Sequence, residues 1–273
     1  MVTVAAGKFD VEVPPITLRD ITFQRQGRTI LDGISLTVGD HERWVVLGPN
    51  GSGKTTLLRI MALYEHPTSG VVEVLGGRLG QVDVRQLRRR IGYASAALAD
   101  QLRPGLTAHE VVKTARYAAL EPWWHHYTVD DDRAALRCLE RLGVGGFADR
   151  TFGSLSSGEQ QRVLLARTMM NEPDVVLLDE PSARLDLAGR EELIESLADL
   201  ARDEAAPSLV MVTHHVNEIP PGTTHVLLLR DGRAVVAGGI EELTGEAISA
   251  CFARPLELHR HDNGRFTAWT AAR

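Results

Sequence analysis

Cysteine is nearly absent from this chain of 273 residues: only Cys138 and Cys251 occur, far apart and without metal-ligand spacing. That pattern points to a reducing cytosol with both thiols packed, and it argues against a metal cluster. Long apolar runs are missing too. None approaches the roughly 18 residues of a membrane span, and the longest, VVLL at 175–178 and VLLL at 226–229, have strand length. There is no basic excess, the formal net charge being −6, so nothing in the charge balance suggests nucleic acid as a partner. The leader MVTVAAGKFDVEVPP lacks the basic start and apolar block of a signal peptide. If the protein works at a membrane, another chain supplies the spans. Repeats and low-complexity tracts are absent as well. What remains, 44% hydrophobic and 24% charged residues, is ordinary for a soluble globular protein with an ample core.

The order of patterns predicts an α/β fold. Residues 16–46 read as short β runs (ITLRDITF, ILDGISLTV, RWVVLG) broken by Gly- and Asp-rich turns. A loop, a helix over 54–63 and strands near 71–75 and 91–94 follow. Residues 100–170 change character, with TAHEVVKTARYAAL, DDDRAALRCLERLG and SGEQQRVLLARTMM all of helical period. The α/β alternation then resumes with DVVLLDE, a helix over 188–203, SLVMVTH and a β pair around Asp231-Gly232. The expected organisation is a leader over 1–15, a core over 16–99 and 171–245, a helical insert over 100–170, and a C-terminal helix and hairpin over 246–273. Asn263-Gly264 suits a type I′ turn for that hairpin. In the insert, EPWWHHY at 121–127 is expected to pack its tryptophans inward. A docking surface for a membrane subunit is the other reading of that stretch. His125 and His126 have no acidic or Cys spacing that would make them metal ligands.

Chemistry concentrates at strand ends. GPNGSGKT at 48–55 follows the strand WVVL and opens a helix. Gly48, Gly51 and Gly53 let the backbone fold tightly so that N–H groups point inward at phosphate. Lys54 can reach the β/γ-phosphates, and the Thr55 hydroxyl can hold Mg²⁺. VVLLDE at 175–180 is a buried strand delivering Asp179 as a Mg²⁺ ligand through water and Glu180 to orient the attacking water. A carboxylate directly after the metal Asp favours hydrolysis over transfer. SLVMVTHH at 208–215 brings His214 to the γ-phosphate as donor and sensor, with His215 pointing the other way along the strand. LSSGEQQR at 155–162 opens a second helix with small residues around it, a further anion site.

These segments resemble the nucleotide-binding domain of ABC ATPases over residues 16–245: GPNGSGKTT as Walker A, LSSGEQQR as the signature, VVLLDEP as Walker B and VTH with the switch histidine. PSARLD at 181–186 is similar to the D-loop, with Asp186 as its acid. The resemblance implies a P-loop NTPase core with an antiparallel β subdomain and an inserted helical subdomain, binding ATP and Mg²⁺. It implies a nucleotide site from Gly48, Pro49, Asn50, Gly51, Ser52, Gly53, Lys54, Thr55 and Thr56, completed across a head-to-tail homodimer by Ser156, Ser157, Gly158 and Glu159. Local stretches such as GDHERWVVLGPNG are similar to single-domain ATPases of metal or iron-complex transport. It further implies separate permease subunits and a cytoplasmic chain, peripheral on the inner face of the membrane when assembled. A soluble ABC ATPase acting outside transport, for example in metal-cluster assembly, shares every catalytic residue. Two positions depart from the pattern. Arg25 stands where an aromatic residue usually stacks on adenine, and a guanidinium plane can stack there instead. Ser95-Ala96-Ala97 stands where the Q-loop normally has Gln.

Overall fold

The computed structural model describes residues 13–95, 98, 100–203 and 205–271. Most of the expected leader, and Ala96 and Ala97 of the Q-loop departure, therefore lie outside the described residues. Strands β1 (Ile16–Arg25), β2 (Arg28–Val38), β4 (Ser69–Val74) and β5 (Gly77–Arg78) form an antiparallel sheet in the order β2-β1-β4-β5. A second sheet has the order β10-β9-β3-β8-β7-β6. Its strands are β3 (Arg43–Leu47), β6 (Ile91–Ser95), β7 (Val175–Asp179), β8 (Ser208–Thr213), β9 (His225–Arg230) and β10 (Arg233–Gly239). All neighbours in it run parallel except β10, which pairs antiparallel with β9.

Why the central strands read as unbroken apolar runs is visible in their burial: β7 is buried at all five positions and β3 at its last four. Alternate side chains point to opposite faces of a strand. Val45, Leu47, Val176 and Leu178 enter one core, while Trp44, Val46, Val175 and Leu177 enter another. The second core is closed by the antiparallel sheet and helix α1 (Lys54–Met61), which inserts Leu57, Leu58, Ile60 and Met61. Each such burial contributes about 1.5–3 kcal/mol before ordering entropy is subtracted. Helix α1 stops two residues short of expectation because Leu63 turns to φ +62. A short helix α2 (Val84–Arg88) precedes β6.

The first core is closed by α3 (Ala108–Thr114), α4 (Val129–Arg141), α5 (Ser157–Met169) and α6 (Leu187–Arg202). Between Asp100 and Met170 no strand occurs among the described residues, only an isolated bridge between Thr107 and Thr151. Capping boxes start three of these helices, Thr107 with Glu110, Thr128 with Asp131 and Ser156 with Glu159. A last helix α7 (Gly245–Phe252) precedes the hairpin β11 (Leu256–Arg260) and β12 (Phe266–Thr270).

Three expectations need correction. Trp123 and Trp124 are not in the core: they are 58% and 83% exposed. Their segment is a loop whose other rings pack together, with His125 stacked on Tyr117 at 4.4 Å and Tyr127 edge-on to Tyr117 at 5.3 Å. Trp123 meets the exposed Arg103 guanidinium instead, 4.7 Å from its ring centre. The C-terminal turn is not type I′. That form needs positive φ at both central residues, and here Gly264 has φ +80 while Asn263 does not share it. Asn263 instead accepts the Arg265 amide on its Oδ1 at 3.1 Å. His215 does not follow strand alternation, because β8 ends at Thr213; its ring lies 4.0 Å from that of His214.

Candidate nucleotide-binding and hydrolytic site

Sheet order assembles the site. Strand β8 lies between β3 and β7, with Leu47 level with Thr213 and Val212 level with Asp179. The chain therefore leaves β3, β7 and β8 at one edge, where a parallel sheet presents ligand-binding loops. Those exits are the 48–55 loop, Asp179-Glu180 and His214.

The loop is built by backbone rather than side chains. Gly51 and Gly53 have φ +82 and +103, and Gly53 caps α1 without any side-chain hydrogen bond. A Cβ on Gly48 would stand 2.0 Å from the Leu229 carbonyl oxygen, so β9 backbone passes directly beneath it. Lys54 Nζ donates to the carbonyls of Gly48 at 2.8 Å and Pro49 at 3.0 Å, drawing the loop closed over the lysine. Burial lowers the Lys54 amine, opposed by the charges of Glu180 and Asp179. Asn50 and Gly51 are exposed, whereas the Ser52 hydroxyl is buried without a partner. Thr55 and Thr56 follow in the first turn of α1.

Thr55 Oγ1 donates to Asp179 Oδ1 at 3.0 Å. Asp179 is 8% exposed; burial raises its carboxyl and the Thr55 bond acts the other way. Glu180 sits at φ +47, in the left-handed region that costs a non-glycine residue of order 1 kcal/mol or more. Its amide still donates to Val212 O at 3.0 Å, so the bend turns the side chain without breaking the sheet edge. His214 Nδ1 lies 3.2 Å from Glu180 Oε1, which brings two of the expected residues into direct contact.

Other expected residues are elsewhere. Ser156 caps α5, its Oγ accepting from Glu159 N at 3.3 Å, while Glu159 Oε2 accepts from Ser156 N at 2.7 Å. That backbone bond, the largest cause, holds the Glu159 carboxyl below the usual carboxylate range. Ser157 is exposed, and Gly158 is buried with its Cβ direction only 3.2 Å from Gly189 Cα of α6. No hydrogen bond or ion pair joins the Ser156–Glu159 turn to residues 48–55 among the described residues. Asp186 caps α6, accepting from Gly189 N at 2.8 Å. Arg25, at the tip of the β1–β2 hairpin, pairs with Glu65 at 2.9 Å and lies 5.4 Å from the Phe23 ring centre.

The expected turn at Asp231-Gly232 also supports the site, a contact that the sequence does not announce. The Asp231-Gly232 turn has φ +50 and +77, the type I′ pattern. Gly232 N donates to Ser52 O at 3.1 Å, and Gly232 O accepts from Asp32 N at 2.9 Å. This turn clamps the phosphate loop to β2. An Asp-Gly pair between apolar runs announces a hairpin, but nothing local says what its tip will touch.

A glycine cradle closed by lysine and backed by two carboxylates at the edge of a parallel sheet defines a P-loop nucleotide hydrolase. The chain belongs to the ABC transporter family, whose model, described as "ABC transporter", matches residues 31–183. It is 39% identical over 245 residues to an uncharacterized ABC transporter ATP-binding protein, YlmA, of Bacillus subtilis, covering 89% of this chain and 92% of the relative. It is 34% identical over 239 residues to the hemin import ATP-binding protein HmuV of Streptomyces coelicolor, covering 86% and 82%. Among solved structures, the dimeric ATP-binding cassette MJ0796 bound to ADP and Pi superposes with a TM-score of 0.70 at 28% identity, covering 82% of this chain and 98% of that one. As a member, the chain is an ATP-binding, ATP-hydrolysing cassette. Among the described residues no helix is long and apolar enough to cross a membrane.

Proposed function

We propose that two copies of this chain close head to tail around two ATP molecules and drive separate membrane-spanning subunits. The observation that carries this reading is the meeting of Glu180 and His214 beside the Thr55–Asp179 pair at one sheet edge. The residues suit a triphosphate with a divalent cation. Gly51 and Gly53 take the left-handed backbone a phosphate cradle needs, the buried Ser52 hydroxyl is unpartnered, and two hard oxygen donors stand 3.0 Å apart. Thr55 and Asp179 would hold Mg²⁺, which neutralises phosphate charge when bound. Lys54 would exchange its carbonyl contacts for the β/γ-phosphates. Glu180 orients a water whose oxygen forms the new bond to γ-phosphorus as the bond to the β,γ-bridging oxygen breaks. His214 donates to the γ-phosphate oxygens.

Ser156, the Ser157 and Gly158 amides and Glu159 serve the partner's nucleotide in this reading, and Asp186 shapes the loop between the two sites. Arg25 is assigned to the adenine face. Residues 100–170 act as a helical unit beside the core, and the leader 1–15 and the segment 246–273 flank the ATPase. The exposed Trp123 and Trp124 support a docking surface on that unit for the membrane subunits, so the chain works as a peripheral subunit on the cytoplasmic side. Cargo choice then belongs to the partner subunits, with iron complexes the class suggested by the likeness to HmuV. The soluble, non-transport reading is kept alive by the missing Q-loop Gln alone.

The test is Glu180→Gln. ATP binding should persist while hydrolysis slows at least ~10²-fold, and an ATP-bound dimer should accumulate in sedimentation. Hydrolysis at the parent rate removes Glu180 from the role of orienting water. Affinity isolation from detergent-solubilised membranes should yield a multi-spanning partner in stoichiometric amount; a purely soluble partner set replaces transport with the second reading.

A further inference from the structure

We infer that Arg265, in the C-terminal hairpin, is a positioning residue for ATP hydrolysis, bracing both chain segments that leave the Glu180–His214 pair. The inference rests on the assignment of those two residues to hydrolysis. Leaving Glu180, the chain runs through 181–186 into α6, which carries Glu191. Leaving His214, it runs through His215 into a single turn at Val216–Glu218. The Arg265 guanidinium spans the two. Nη1 donates to Glu191 Oε2 at 2.6 Å, Nη2 to Glu191 Oε1 at 3.0 Å, and Nη2 also to the Asn217 carbonyl at 2.8 Å.

This geometry is specific. A fork that meets a carboxylate with both arms fixes orientation as well as distance. The Arg265 side chain is 20% exposed and Glu191 42%, so the bidentate geometry and the Asn217 carbonyl, rather than exclusion of water, hold the contact. The neighbouring Phe266 anchors the strand in the core at 3% exposure. The turn it holds is already tied on its inner side. The buried Glu218 carboxylate accepts from Thr213 Oγ1 at the end of β8, and Arg190 Nε approaches Glu218 at 3.5 Å from α6. Arg190 and Arg265 thus grip the same turn from two elements, leaving His214 little room to drift from Glu180. Lys54 and Thr55 lie in the first turn of α1 and share no hydrogen bond with Arg265. The phosphate-loop contacts should therefore not depend on the brace, and any change in affinity should be limited to the His214 contact.

The experiment uses the full chain with Arg265→Met, Arg265→Lys and Glu191→Gln, each measured for kcat, KM for ATP and calorimetric ATP affinity. Arg265→Met should lower kcat about tenfold, the scale of a small misplacement of reacting groups, with KM and ATP affinity within about twofold of the parent. Arg265→Lys should recover part of the loss, since one ammonium reaches one partner well but not both in fork geometry. Glu191→Gln should fall in the same direction, and adding it to Arg265→Met should cost little more, because both break one interaction. A kcat within about twofold of the parent in Arg265→Met overturns the brace. A kcat loss matched by an equal loss of ATP-binding capacity marks unfolding, and the brace is then tested in the other two variants. If Arg265→Met does not fold, unchanged kcat in Glu191→Gln and Arg265→Lys overturns it instead. Glu180→Gln, run alongside, separates the two ideas: parent-rate hydrolysis there removes the assignment of Glu180 whatever Arg265 does.

Discussion

Helices α1 and α5 both begin at a proposed phosphate site, yet they are finished in opposite ways. The first turn of α1 has no acidic residue and its cap, Gly53, offers no side-chain acceptor. The first turn of α5 carries Glu159, and Ser156 and Glu159 satisfy each other's backbone amides. A helix N-terminus has unpaired N–H groups and the positive end of the dipole. At α1 that potential is left open, with Lys54 added to it. At α5 the protein supplies its own carboxylate. In the proposed dimer, the difference separates a helix start left open to bind nucleotide first from one that is satisfied within its own chain until the partner's nucleotide reaches it.

The sharpest way to break this contrast is at α1. Lys54→Ala should weaken ATP binding at least about tenfold, since a charge on the β/γ-phosphates is lost. Near-parent affinity in a calorimetric titration would remove the lysine from that role. At α5, Ser156→Asp keeps a good capping residue but adds a negative charge where the partner's phosphate should approach. Its ATP affinity as a single chain should match the parent while ATP-driven dimerisation is lost. Mixed with Lys54→Ala, it should regain at most about half of parent activity, because one site of the mixed dimer is intact. No recovery in mixtures where sedimentation shows the mixed dimer would sink the composite site.

Two smaller effects sharpen the same comparison. Gly158 packs on Gly189, so Gly158→Ala should destabilise by on the order of 1–3 kcal/mol through overpacking, seen as a lowered Tm with or without nucleotide. A Tm equal to the parent would show that α5 and α6 can part there without cost. Glu159→Gln preserves the capping box and removes the resident charge, and should tighten ATP-driven dimerisation a few-fold. Because the Ser156 amide holds the Glu159 carboxyl below its usual range, that gain should be flat from about pH 5 to 8. A weaker dimer in Glu159→Gln would mean the carboxylate itself contacts the partner.

Much of the site was legible because its chemistry is local. Gly51 and Gly53 need left-handed backbone, Asp179 must end a buried strand, and Ser156 must precede a helix, each a matter of a few neighbouring residues. Trp123 and Trp124 were misread because a pair of large apolar side chains carries no local sign of which way its loop faces. The contact between the His214 and His215 rings does not follow from strand alternation, because both residues lie past the end of β8 at Thr213. Arg25 shows a further limit. Its pairing with Glu65 means that any base contact competes with an ion pair 40 residues away in the chain.

By itself, then, the sequence determined the alternation of strands and helices, the glycine cradle and the chemical identity of Lys54, Asp179, Glu180 and His214. These depend on backbone allowance and side-chain type, which a short window contains. Only the tertiary structure decided the order β3-β8-β7, the meeting of His214 with Glu180, the Gly232 clamp on Ser52 and the Arg265 grip on Glu191 and Asn217. Those contacts join residues from 34 to 180 positions apart (Glu180 to His214, Ser52 to Gly232). Which distant segments meet is set by how two cores pack on opposite faces of one sheet, a property no local window holds.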